Sequence, residues 1–250
     1  MSYVKLKHTL AELALDVTAH LNRPWVADAL LAYAELSRGG PEVSLDAVAR
    51  AGGVAPAEAR RTLEATGLFE VTADGGRAIA LRAPFRPFRP YLGRQAARTV
   101  AAVRLLRDAR PETVPPEIWH AAALFNAGLF FECHEYLEDV WRATPGPERA
   151  FYHGLVQAAA GCYHLEKGNV HGARTLLGKA AAKLEPYAPT HRAVEVATFV
   201  AGLRHVLSRL DGAPSRLGEI GFPGLDLTAP ARAGRRGPVA STPPPRGPSR

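Results

Sequence analysis

Along most of the chain apolar residues recur at steps of three and four, the spacing of one helix face. Residues 4–21 carry Leu6, Leu10, Leu13, Leu15 and Val17 in this way, and a second helix, "WVADALLAYAELSRGG", follows Pro24 and is ended by Gly39-Gly40. Ser44 is placed as an N-cap for "LDAVARAGG", and Ala55-Pro56 opens "AEARRTLEATGL" with proline in a first turn. The pattern then changes: "LFEVTADGGRAIALR" contains two strand-like runs around Asp74-Gly75-Gly76, a hairpin signal.

Helix, helix, turn, helix, hairpin is the order of a winged helix, and Trp25 to Arg82 is similar to that fold group in element order. The resemblance implies a recognition helix at residues 57–65, with Arg60 and Arg61 as the contacts to DNA. Between residues 82 and 110 stand eight arginines and one aspartate. Prolines from Pro84 to Pro90 oppose a helix, so the stretch reads as an extended linker entering a helix near Gly93. Arg86 and Arg89, interleaved with Phe85, Phe88 and Tyr91, suit phosphate contact and base stacking. A linker with docked aromatics and solvated arginines is the competing account.

From Pro116 to Leu210 the periodicity is helical throughout, and "FNAGLFFECHEYLEDVW" (residues 125–141) reads as one helix. At about 100° per residue, Ala127, Phe130, Phe131, His134, Leu137, Glu138 and Trp141 share a face, while Glu132, Tyr136 and Asp139 fall away from it. A histidine and a carboxylate therefore stand on the side that should pack. An unpaired buried carboxylate would cost several kcal/mol or take up a proton, so Glu138 needs a partner, and His134 is the nearest one.

The helix beginning near Glu148 has a complementary stripe of small and polar residues, His153, Gly154, Gln157, Ala160, Gly161 and His164. A tight Pro145-Gly146-Pro147 loop favours antiparallel neighbours, which would set this stripe against His134 and Glu138. Two accounts fit: a closed hydrogen-bond network fixing helix register, or a pocket for a divalent metal or a small polar ligand. For a metal the ligands would be His134, Glu138 and His164. As a catalytic or binding pocket, His134 and Glu138 coordinate or act as base and Glu135 assists. Asn126, Trp141, Gln157 and His164 then hold the bound group.

Charge sharpens the division of the chain. The net charge is +7, but residues 1–110 hold 16 basic against 11 acidic residues, residues 111–212 hold 9 against 11, and residues 213–250 hold 6 against 2. A polyanionic partner such as nucleic acid should meet the flanks, not the centre. The last stretch, rich in proline, glycine and arginine, reads as a disordered basic tail. Cys133 and Cys162 are too few for a disulfide framework and read as small packing residues. The amino terminus lacks the apolar core of a signal peptide and no run is long enough to span a membrane, so a cytoplasmic protein is expected. Serine-hydrolase, P-loop and dinucleotide-binding signatures do not occur.

"ALFNAGLFFECHEYLEDVW" followed by "RAFYHGLVQAAAGCYHLEKGNVHGARTLL" resembles the family named domain of unknown function 309, over about residues 118–185. The resemblance implies a compact all-helical module in which the His-Glu motif is a family feature. It says nothing of activity. The expected protein is thus mainly α: a small winged-helix-like α+β domain (1–83), an Arg/Pro-rich linker and helix (84–115), a multi-helical bundle (116–212) and a tail (213–250). Three functions stand open: a metal- or ligand-binding bundle with hydrolysis as its reaction class, a nucleic-acid-binding regulator, and a scaffold without chemistry.

Overall fold

The computed structural model describes residues 2–21, 23–72, 76–212 and 220–228. The protein is mainly α with one small antiparallel sheet. In chain order the elements are α1 (Ser2–His20), α2 (Trp25–Leu36), β1 (Glu42–Ser44), α3 (Leu45–Gly52), α4 (Pro56–Ala65), β2 (Phe69–Val71), β3 (Ala78–Leu81) and α5 (Arg89–Arg107). Then follow α6 (Pro116–Asn126), α7 (Phe130–Ala143), α8 (Glu148–Glu166), α9 (Val170–Leu184) and α10 (Val196–Asp211).

Local chemistry sets many of these boundaries. The Ser44 hydroxyl accepts from Ala47 N at 3.4 Å to start α3, and Gly53 ends it in the left-handed region at φ +68. Pro56 occupies the first turn of α4. The sheet order is β1-β3-β2, both pairs antiparallel. Its third strand is not evident in the sequence, because "EVS" is three residues long and pairs with Ala78–Ala80, far along the chain. The Asp74-Gly75 part of the hairpin turn lies outside the described residues.

Three expectations are corrected. The stretch after Arg82 is no extended linker: Ala83–Phe88 forms a 3-10 helix that runs directly into α5. Pro84 and Pro90 fall in first turns, where no amide partner is lost, and Pro87 stands inside the short 3-10 segment. The 125–141 run is two helices, since Gly128 at φ +77 ends α6 and α7 starts two residues later. Residues 220–228 are not tail but core, with Ile220 and Leu225 buried among the bundle helices. The tail expected beyond Thr228 lies outside the described residues.

Two apolar cores result. One joins α1–α5 and the sheet through Leu6, Leu30, Tyr33, Leu63, Phe69, Ile79 and Leu92; the other joins α6–α10 through Phe125, Leu137, Phe151, Leu177 and Phe199. Along the seam between them, α1 and α5 meet α7 and α8 through polar contacts. Arg98 donates to Glu166 at 2.7 Å, Lys167 Nζ donates to the Tyr3 hydroxyl at 2.7 Å, and Lys7 Nζ stands 3.7 Å over the Phe131 ring. No helix among the described residues is long and apolar enough to cross a membrane.

Candidate functional site

Helix α7 is wedged between α6, α8 and α1. A helix packed on several sides has no single apolar face, and this governs where its polar residues fall. Phe130, Cys133 and Leu137 are buried in the bundle. The pairs Phe131–Tyr163 and Trp141–His153 fix α7 antiparallel to α8.

His134, Glu135 and Glu138 gather on one edge of α7. The imidazole Nε2 lies 3.8 Å from Glu135 Oε1 and 3.9 Å from Glu138 Oε2. One donor atom from each of the three residues falls within 4.8 Å of the others. The His134 and Glu138 side chains are 28% and 26% exposed, so the pair is half-buried and reachable. The other ring nitrogen, Nδ1, is buried and meets no hydrogen-bond partner. Gln157 Oε1 is likewise buried without a partner. In the α7–α8 register Gln157 stands level with Leu137, about one turn from His134. An orphaned ring nitrogen and an orphaned amide oxygen are complementary when the nitrogen carries the proton, which leaves Nε2 free to accept.

Glu135 and Glu138, though not His134, line a cavity of about 290 Å³ between α1, α6 and α7. Glu135, Glu138, Asp139 and Arg142 form one wall, with Leu15 and Ala19 of α1 opposite and His120 and Tyr136 behind. Arg142 donates to Glu138 Oε1 at 2.8 Å, so a cation already sits on one carboxylate oxygen. His120 stacks on Tyr136 at 4.3 Å and bonds through Nε2 to Thr18 Oγ1 at 3.0 Å. Burial pushes the His120 pKa down to about 4, so the ring is neutral at pH 7.

Other residues expected at the site have different tasks. His164 is no third ligand: its Nδ1 accepts from Asn169 Nδ2 at 2.7 Å, while Asn169 Oδ1 caps α9 by accepting from Gly172 N at 2.9 Å. Gly154 and Gly161 do not face α7, because a Cβ on either would come within 2.7 Å of Leu184 or Leu177 on α9. Asn126 clamps the last described segment, donating to Leu225 O at 3.1 Å and accepting from Leu225 N at 2.8 Å. Trp141 is stacked on His153 at 4.6 Å, with the Arg149 guanidinium 4.7 Å from its ring.

Of the four arginines expected to contact nucleic acid, Arg86 and Arg89 are committed within the fold and Arg60 and Arg61 are exposed. Arg86 Nε donates to Leu81 O at 2.9 Å and Arg89 to Ser37 O, so both hold the 3-10 segment onto the sheet and α2. Arg60 pairs with Glu64 at 3.1 Å. Arg61 faces the carboxylates of α1 across a cleft.

Glu132 departs most from the sequence reading. Expected to fall away from the packed side, it is 1% exposed, because α5 covers that flank of α7. Its Oε1 accepts from Gln95, its Oε2 has no partner, and burial raises its pKa. Gln95 offered a faint signal as a polar residue inside the apolar stripe Leu92, Ala96, Val100 and Val103. Cys133 and Cys162 are free and fully buried, as expected of packing residues, and burial pushes both thiols up.

Residues 118–176 match the family model described as Domain of unknown function (DUF309), which bears out the resemblance read from the motifs. Uncharacterized protein YpuF of Bacillus subtilis (strain 168) is 39% identical over 67 residues, covering 26% of this chain and 37% of that protein. The alignment thus spans well under half the length of this relative. No solved structure matches. The His134, Glu135 and Glu138 edge lies inside the matched stretch, whereas α1–α5, including the α1 wall of the cavity, lie outside it.

Proposed function

We propose that the bundle is a cation-binding module whose centre is the α7 edge formed by His134, Glu135 and Glu138. The observation that carries this reading is the convergence of one imidazole Nε2 on two carboxylates, at 3.8 and 3.9 Å, beside a cavity of about 290 Å³. The donor set fits a borderline ion such as Zn²⁺ or Mn²⁺: one nitrogen and two carboxylates are too few oxygens for a calcium cage. In this reading Nε2 and the Glu138 carboxylate are the less exposed ligands and Glu135 is the more exposed third; the buried, unpartnered Gln157 Oε1 is the acceptor proposed to take up the Nδ1 proton when the ion binds. A bound divalent ion supplies Lewis acidity and a water of lowered pKa, so hydrolysis is the reaction class the centre would serve.

The test is elemental analysis with calorimetric titration of Zn²⁺ and Mn²⁺ into protein made without a metal-affinity tag. One ion per chain, lost in His134→Ala and weakened in Glu138→Gln, is expected. Sub-stoichiometric metal that is unchanged in His134→Ala would remove the reading.

The amino-terminal module is read as winged-helix-like, on the order α2-β1-α3-α4-β2-β3 and the sheet order β1-β3-β2. Arg86 and Arg89 are engaged by backbone carbonyls while Arg60 and Arg61 stay exposed on α4, and the module's contact with the bundle runs across α1 and α5.

A further inference from the structure

A cleft of about 500 Å³ separates α1 from α4, far from the α7 edge in sequence and lined by none of its residues. This volume falls in the range of small-molecule sites, about 300–1,000 Å³. The α1 wall presents Glu12 and Asp16, and the α4 wall presents Arg61; Arg23 closes one end.

Most of these charges are already paired. Arg23 Nη2 donates to Asp16 Oδ2 at 2.8 Å, which neutralises both. Arg60, beside the cleft, is held by Glu64. Glu12 and Arg61 remain: they stand on facing walls, do not reach each other, and neither makes an ion pair or a side-chain hydrogen bond among the described residues. The lining also includes the apolar Leu13 and Ala65 and the hydroxyl-bearing Thr9, Thr62 and Thr66.

We infer that this cleft binds a small zwitterion of the α-amino acid type. The charges select for it. A simple anion attracted by Arg61 meets the unpaired Glu12 carboxylate, and a simple cation attracted by Glu12 meets the unpaired Arg61 guanidinium. A molecule carrying a carboxylate and an ammonium a few ångströms apart satisfies both walls at once. Its carboxylate takes Arg61, where a guanidinium offers two parallel N–H donors, and its ammonium takes Glu12. An apolar side chain covers Leu13 and Ala65, and the cleft has room for a large one. The same arrangement disfavours a polyphosphate backbone on α4, since it would run against Glu12. This site does not depend on the metal reading of the bundle.

The experiment is titration calorimetry of the full chain with free L-leucine, L-phenylalanine and L-methionine, each beside its methyl ester and its N-acetyl derivative. Leucyl-leucine, inorganic phosphate and putrescine complete the panel. At least one free amino acid or the dipeptide is expected to bind, with ester and N-acetyl forms weaker by tenfold or more. Arg61→Gln and Glu12→Gln should each weaken binding at least tenfold, Arg61→Lys should retain part of it, and His134→Ala should leave it intact. Both positions are exposed and unpaired, so unchanged far-UV circular dichroism and melting should accompany the loss. Preference for the dipeptide makes peptides the source of the zwitterion and supports the site. Binding of none of the zwitterions, binding of phosphate or putrescine alone, or affinity indifferent to both substitutions would overturn it.

Discussion

Glu132 on α7 accepts a hydrogen bond from Gln95 Nε2 on α5 at 2.8 Å, inside the seam that joins the amino-terminal part to the bundle. The second carboxylate oxygen has no partner, and only 1% of the residue is exposed. Gln95 in turn accepts from Arg98 Nη1 at 3.3 Å, and Arg98 is held by Glu166. The carboxyl is thus separated from the one nearby guanidinium by an amide, and burial outweighs the charge that would keep it ionised.

Burial raises the Glu132 pKa above 4.5. The folded chain therefore holds this proton over a pH range in which the unfolded chain has released it, and stability falls as pH rises through that range. Each unit of difference is worth about 1.4 kcal/mol. Glu132→Gln, which keeps an acceptor for Gln95, should melt higher than the parent at pH 7 and converge with it near pH 4. Melting curves across that range check this, and a variant equal or less stable at pH 7 would contradict it.

Arg142 competes for the same carboxylate as the proposed ion, through a 2.8 Å contact to Glu138. Exposed i,i+4 pairs are worth about 0.3–0.5 kcal/mol, so Arg142→Gln should raise metal affinity roughly twofold. Titration of the two proteins with Zn²⁺ at low ionic strength reads the difference, and an unchanged affinity would place the ion elsewhere.

Gln157 holds no ligand position itself, yet its buried side-chain oxygen has no partner and is the acceptor proposed for the His134 Nδ1 proton. Removing a hydrogen-bond partner of a ligating histidine weakens metal binding about 10–100-fold. Gln157→Leu should show that loss with little change in melting temperature, whereas Gln157→Glu should restore binding.

Two glycines on α8 let α9 approach closely, and a third on α9 does not. Gly161→Ala would drive a methyl to within 2.7 Å of Leu177 and should cost about 1–3 kcal/mol. Gly178→Ala meets nothing within 4 Å in the middle of α9 and should stabilise by about 0.5–1 kcal/mol. Urea unfolding of the pair should move in opposite directions.

What the sequence disclosed was local. Ser44, Pro56 and Gly128 each act through atoms within four residues, and the first two mark helix boundaries directly in the sequence. Gly128 was visible too, but only its left-handed backbone, not its presence, splits the 125–141 run. The i,i+4 spacing of His134 and Glu138 carried the α7 edge for the same reason. The rest depends on contacts between distant segments. β1 exists because Val43 finds Ile79, and Glu132 is buried because Gln95 arrives from α5. The glycine stripe of α8 faces α9 because Leu177 and Leu184 fill it, a choice between two neighbouring helices that spacing alone leaves open.

Helix α1 is the shared partition between two separate chambers: Leu13 and Asp16 look into one, Leu15 and Ala19 into the other. A helix is stiff along its length, so an occupant that shifted it on one side would reshape the opposite side as well. Thermodynamic reciprocity then requires that whatever factor a guest in the first chamber imposes on affinity in the second is returned unchanged. The partition itself lies outside the family match, so any such coupling would belong to the part of this chain that the family model does not cover.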